Sequence, residues 1–163
     1  MNPCPCGYSG DPSGRCRCTT DVVRKYVGRI SGPLIDRIDL HVEVPRLPRA
    51  ALQGPAGESS VTVAARVRAA RTLQWQRSGM LNAQLAPREL ERHCALRPAD
   101  QSLLERAVER LGLSARAWTR ILRVARTLAD LDGVEALGTA HLTEAIGYRR
   151  LDRHPAGAGH EGP

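Results

Sequence analysis

Lysine is nearly missing from this chain. Of its 24 basic residues only Lys25 is a lysine; the rest are arginine. A phosphate loop of the Walker A kind needs a lysine followed by Ser or Thr, because the ammonium must reach the terminal phosphates. Lys25 stands between Arg24 and Tyr26 with no glycine-rich run before it, so nucleotide hydrolysis through such a loop within these residues is excluded. Aromatic residues make up 3% and phenylalanine is absent. The core must then be aliphatic, which favours helices with Ala/Leu stripes over an aromatic-rich β-sandwich. No apolar run approaches the roughly 18 residues of a membrane span. The N-terminus lacks the charged and apolar regions of a secretory signal. These absences predict a cytoplasmic protein with no membrane contact.

The chain has 163 residues and a net charge of +7, a length that suits one domain or two small ones. The charge alone is a weak sign of nucleic acid, since GC-rich coding also favours arginine over lysine. After a cysteine-dense loop at 1–18, Val22, Val23, Tyr26, Val27 and Ile30 recur at helical spacing. Thr19, Thr20 or Asp21 can cap that helix, and Ser31-Gly32-Pro33 should end it. Leu40, Val42 and Val44 alternate with His41 and Glu43, the period of a half-buried strand stopped by Pro45. Residues 45–58 carry three prolines and two glycines and read as a linker.

From 59 to about 152 the pattern is helical throughout. Ser59 or Ser60 opens a helix to Ser78-Gly79, with Val63, Val67, Ala70 and Leu73–Gln74 on one side. Pro87 and Pro98 suit helix first turns, and Gly112 suits a helix end. Ser114 caps a long helix striped by Ala117, Ile121, Val124, Ala125 and Leu128, which stops at Gly133. A last helix starts at Thr139 and carries Leu142, Ala145 and Ile146. Residues 153–163 have the composition of a disordered tail.

Cys4, Cys6, Cys16 and Cys18 form two C-x-C pairs nine residues apart. Four thiolates at the ends of a short loop match a closed tetrahedral zinc site, with a structural role because no position is left for a reacting water. Gly7, Gly10, Pro12 and Gly14 let the loop turn back, and Arg15 and Arg17 offset the negative site. Idle thiols or disulfides remain open, the latter disfavoured in a reducing compartment. Cys94 stands alone in an amphipathic helix and reads as a buried thiol.

Two arginines look placed. Arg37, in SGPLIDRIDLHVEV, sits at a corner between a helix end and a strand start. A guanidinium held there suits an arginine finger reaching a phosphate on another subunit; a surface cluster of Asp36, Arg37 and Asp39 is the other reading. Arg116 follows a helix cap, where a cation works against the helix dipole and so suggests an anion nearby. Arg120, Arg123 and Arg126 continue that helix on its polar side, a pattern that also suits a DNA-reading helix-turn-helix.

Together the blocks MNPCPCGYSGDPSGRCRCT, YVGRISGPLIDRIDLHVEVPRL, GESS with VRAAR, GLSARAWTRILRVARTLADLDG and HLTEAIGYRRLDR resemble the C-terminal part of the magnesium-chelatase-like AAA+ ATPases of the YifB/ComM type. The resemblance implies a mostly α chain: the C-terminal edge of an AAA+ α/β core at 1–45 (loop, helix, one strand), a linker at 46–58 and an all-α helical lid at 59–152. It implies Asn2 as the sensor 1 residue that orients the attacking water, Arg37 as the arginine finger acting in trans, and Arg116 as sensor 2. Such ATPases carry ATP and magnesium on Walker A and B segments upstream of sensor 1. This chain is then expected to be a piece of a longer ring-forming subunit, a hexamer in the parent, and inactive alone. ComM-type members resemble helicases that remodel DNA, so DNA is an expected partner; magnesium insertion into a porphyrin has no support here. The rival reading is a small zinc-binding, non-enzymatic DNA-binding module.

Overall fold

The computed structural model describes residues 1–47 and 53–149. Among these it holds seven α-helices and no strand: α1 (Thr20–Val27), α2 (Gly32–Ile35), α3 (Ser60–Ser78), α4 (Pro87–His93), α5 (Pro98–Leu111), α6 (Ala115–Leu131) and α7 (Thr139–Gly147), with a 3₁₀ turn at Asn82–Gln84.

Each long helix begins where a side chain or a proline can deal with its orphan N–H groups. Thr19, Ser59 and Ser114 accept from Val22, Thr62 and Ala117 backbone N–H. Pro87 and Pro98 occupy first-turn positions of α4 and α5. Gly79 and Gly112 close α3 and α5 with φ of 67° and 60°, the left-handed geometry that a Cβ disfavours. These starts and stops fall where the sequence places them, and the chain is mostly α as expected.

The aliphatic core forms around α6. Leu85, Leu90, Leu104, Ile121, Leu122, Ala125, Leu137, Leu142 and Ala145 pack with Cys94, while Trp118, Val124 and Leu128 lean against them. The 3.6-residue stripe of α6 puts Ala117, Ile121 and Ala125 on that face. Cys94 is a buried thiol, its pKa pushed up to about 11 by burial, and its Sγ points at the Leu122 carbonyl 3.8 Å away.

A polar clasp ties α3 to α6. The buried Asp130 carboxylate accepts both terminal nitrogens of Arg77 at 2.6 and 2.7 Å, the Asn82 amide at 2.7 Å, and pairs with Arg126 at 3.1 Å. Arg77 also donates to the Asn82 side-chain amide oxygen, and the Gln74 side-chain oxygen accepts the Asn82 backbone N–H. Arg126 donates to the Val134 carbonyl at 2.7 Å, holding the loop after α6. A second link joins α5 to α7: Asp100 accepts from Arg97 and Thr139.

Three expectations are corrected. Residues 40–44 are not a strand, because a ladder needs a second extended segment and none pairs with them among the described residues. No alternating apolar face is buried either: Leu40, Val42, Glu43 and Val44 are exposed, and only His41 of the five is buried, its backbone N–H donating to the Tyr148 carbonyl at 2.8 Å. Ser31-Gly32-Pro33 opens the short α2 instead of ending α1, which stops at Val27. The stripe of α3 is buried only at its C-terminal half; Ala70 and Gln74 are covered while Val63, Val67 and Leu73 remain exposed. Part of the linker (48–52) and the tail (153–163) lie outside the described residues, as do 150–152 of the lid.

Candidate functional site

The corner between α2 and the extended segment is built from residues 36–41. Pro33 sits in the first turn of α2, and the helix unwinds at Asp36. Four of the following groups then turn to the helical bundle. The Asp36 carboxylate accepts the Ser114 hydroxyl at 2.8 Å and lies 3.7 Å from the Arg149 guanidinium. Arg149, 1% exposed, donates to the Ile38 carbonyl. Asp39 pairs with Arg120. His41 is held by Tyr148.

Arg37 is the member of this run that turns outward. It is exposed, and its Nη1 donates to the Pro33 carbonyl at 3.0 Å. Among the described residues no carboxylate lies within ion-pair range of it. The reading of Asp36, Arg37 and Asp39 as one surface cluster therefore fails: both aspartates are taken by the bundle. Arg116 occupies the second position of α6, two residues from the capping Ser114, and is exposed. Asp36 and Ser114, the neighbours of these two arginines, are joined by a direct hydrogen bond across 78 residues of sequence.

Asn2 sits in the cysteine-dense N-terminal loop. Its amide rests over Gly7, with Nδ2 3.6 Å from where a Cβ on Gly7 would stand. No hydrogen bond among the described residues joins it to Arg37 or Arg116.

The helix-turn-helix reading of α6 also fails. A helix that reads bases must offer its polar side chains to a groove. Here Arg120 pairs with Asp39, Arg123 donates to the Leu85 carbonyl at 2.8 Å, and Arg126 is buried on Asp130. A cleft of about 630 Å³ is walled by Arg77, Arg92, His93, Arg97, Arg126 and Glu135. Three of its arginines are already paired with Asp130 or Asp100, and none of the predicted site residues lines it.

The four N-terminal cysteines converge. Gly7, Gly10 and Gly14 adopt φ of 80°, 81° and 65°, turns that fold the loop back on itself. The Sγ separations are 3.3 Å for Cys4–Cys6, 3.9 Å for Cys4–Cys16 and 3.7 Å for Cys6–Cys16, and all four sulfurs lie within 4.8 Å of one another. These are free thiols, far beyond the roughly 2.05 Å of a disulfide. They match the edge of a sulfur tetrahedron around a metal, about 3.8 Å for metal–sulfur bonds of about 2.3 Å. Their ionisation is uneven. Cys6 is lowered to about 6, first by the Tyr8 backbone N–H and then by Cys4. Cys18 is pushed up to about 11: the Cys6 backbone N–H draws it down, but the Cys6 sulfur, burial and the Cys4 sulfur outweigh it. Crowded sulfurs resist ionising together, and a divalent cation among them removes that resistance. The cluster is thus a set of residues able to hold a metal.

The model of the family "Magnesium chelatase, subunit ChlI C-terminal" matches residues 57–149, and that of "Magnesium chelatase, subunit ChlI" matches residues 1–52. The chain belongs to the magnesium chelatase ChlI family. Within it, "Competence protein ComM" of Haemophilus influenzae is 45% identical over 156 residues, covering 94% of this chain and 30% of that protein. The "Uncharacterized protein YifB" of Escherichia coli shows the same identity and coverage. An uncharacterized protein of Mycobacterium tuberculosis is 38% identical over 155 residues, covering 91% of this chain and 30% of its own length. The chain therefore spans about 30% of the length of these curated relatives. Membership in this family gives no support to the rival reading of a free-standing DNA-binding module. Among the described residues no helix is long and apolar enough to cross a membrane.

Proposed function

We propose that this chain is the arginine-finger and lid portion of a ring-forming AAA+ ATPase subunit of the magnesium-chelatase-like family. In this reading residues 1–45 are the end of the α/β core, 46–58 the linker and 59–152 the lid. Arg37 reaches the γ-phosphate of ATP bound on a neighbouring subunit. Arg116 contacts the phosphates of its own subunit's nucleotide from the lid, and Asn2 orients the attacking water. The observation that carries the reading is the treatment of Arg37: its acidic neighbours are engaged by the bundle, and its guanidinium is left outward at a braced corner. A finger needs that combination, since a carboxylate partner would neutralise the charge meant for a phosphate.

ATP and magnesium would be held by Walker segments that these residues do not contain. The isolated 163-residue chain is accordingly expected to show no ATP turnover above a protein-free blank; clear turnover, lost on Arg116→Ala, would reject the assignment. The assembled protein would be a cytoplasmic homo-oligomeric ring, a hexamer by the family pattern, working on DNA. The sulfur geometry supports zinc at Cys4, Cys6, Cys16 and Cys18 as a brace for the N-terminal loop. Metal analysis of purified chain should give about one zinc per chain, and Cys4→Ser with Cys16→Ser should give none, since a closed site needs all four ligands. A zinc content unchanged by the double substitution would show that the metal lies elsewhere.

A further inference from the structure

We propose that the helical lid positions the finger: Ser114, Arg120 and Arg149 hold residues 36–41 so that Arg37 and Arg116 of one chain move as a single unit. The proposal rests on reading Arg37 as the finger and Arg116 as sensor 2, and adds the coupling between them.

The geometry is unusually one-sided. Over six consecutive residues, Asp36, Ile38, Asp39 and His41 each make a contact with the bundle, at Ser114, Arg149, Arg120 and Tyr148. Arg37 alone among the charged groups of this run points away. Ser114 is the pivot. Its oxygen accepts the Ala117 backbone N–H at 3.2 Å, fixing the first turn of α6 on which Arg116 stands. Its hydroxyl proton goes to Asp36, the residue before Arg37. One hydroxyl donates once and accepts once here, so the start of the sensor helix and the finger corner share a hinge point. Arg149, 1% exposed, is buried with its charge directed to the Ile38 carbonyl and Asp36. A buried guanidinium must be paired to be tolerated, so this contact is part of the fold. Asp39–Arg120, with side chains 54% and 20% exposed, is a partly solvated pair of the kind that adds little stability; in this scheme its part is to link the corner to α6.

The consequence is directional. A nucleotide drawn against Arg116 sets the angle of the lid. The 36–41 corner follows the lid, and Arg37 carries that angle to the next subunit's phosphate. Ser114, Arg120 and Arg149 are positioning residues in this scheme; none touches nucleotide.

The test uses the intact subunit with its nucleotide-binding segments present, comparing Asp39→Arg, Arg120→Asp and the double swap. Each single change should lower kcat about tenfold or more while KM for ATP stays within about twofold, and the swap should recover most of the lost kcat. Melting temperatures should stay near wild type. Singles with wild-type kcat, or a swap as inactive as the singles, overturn the proposal. Should either single fail to fold, Asp39→Asn is read by hydrogen exchange in the 163-residue chain. Faster exchange confined to the amides of residues 34–41 supports the coupling, and unchanged exchange there overturns it. Arg37→Ala run alongside separates the two layers. If that variant keeps full turnover, the finger reading falls; if it is inactive and the swap does not rescue, only the coupling falls.

Discussion

Arg37→Ala in the intact subunit is expected to lower ATP turnover by about 10³- to 10⁵-fold, the range of arginine-finger contributions, while ATP binding stays within about threefold. The reason is positional. Arg37 is exposed, its guanidinium bonded among the described residues to the Pro33 carbonyl alone, and it is braced on both sides by residues locked to the bundle. Its removal takes no contact from the core, so the fold and the subunit's own nucleotide pocket should survive. In the proposed role, what is lost is a charge supplied to a neighbour's transition state. Steady-state turnover and nucleotide binding on the same preparation check this; Arg37→Lys should stay low, because a point charge lacks the forked donors of guanidinium. A variant that loses ATP binding in step with turnover would point to a folding role.

Asp130→Ala is expected to cost about 3–5 kcal/mol of stability, the scale for removing one partner of a buried ion pair. Asp130 is 2% exposed and serves Arg77, Arg126 and Asn82 at once. Alanine would leave Arg126, itself 1% exposed, without its carboxylate, and would release α3 from α6. Denaturant or thermal unfolding of the chain measures the loss, with Leu104→Ala as a core control of about 2–5 kcal/mol. The same clasp sets an acid limit. Burial alone would raise the Asp130 carboxyl, but Arg77, Asn82 and Arg126 outweigh it and hold it below its ordinary 3.8. Asp100 is likewise lowered, first by Arg97 and then by Thr139. A carboxyl with a depressed native pKa stabilises the fold fully above its unfolded value and loses that contribution as pH falls through the native one. The contribution of these two carboxyls should therefore be constant above about pH 5 and drop progressively below about pH 4, and Asp130→Asn should weaken that drop.

Local signals in the sequence carried much of the helical architecture. Thr19, Ser59, Ser114, Pro87, Pro98, Gly79 and Gly112 act through short-range chemistry, and each marks an element end in the structure. The α6 stripe was equally legible, because a helix periodic in apolar residues has one way to face a core. The strand was misread because period-two alternation shows only a capacity to pair; a partner is a long-range fact. The clasp at Asp130 was invisible for a related reason. Arg77 and Asp130 are 53 residues apart, and polar residues in a helical pattern look solvated until their partners are in place. Val63 and Val67 show the reverse case, apolar positions in register that nothing among the described residues covers. At the candidate site, Arg37 and Arg116 stood out by their settings, and the cysteines by spacing. The brace made by Ser114, Arg120 and Arg149 did not, because Asp36 and Asp39 read naturally as partners of the arginine between them.

A mixing experiment addresses the central claim most directly, that Arg37 acts on a phosphate held by another subunit. Subunits carrying Arg37→Ala but an intact nucleotide-binding loop are mixed with subunits whose loop lysine is disabled but whose Arg37 is intact. Each preparation alone should be inactive. Mixed rings should regain ATP turnover, because an intact finger then meets an intact loop at some interfaces. If the mixed rings form and remain as inactive as either parent, Arg37 does not act in trans, and the finger assignment is contradicted.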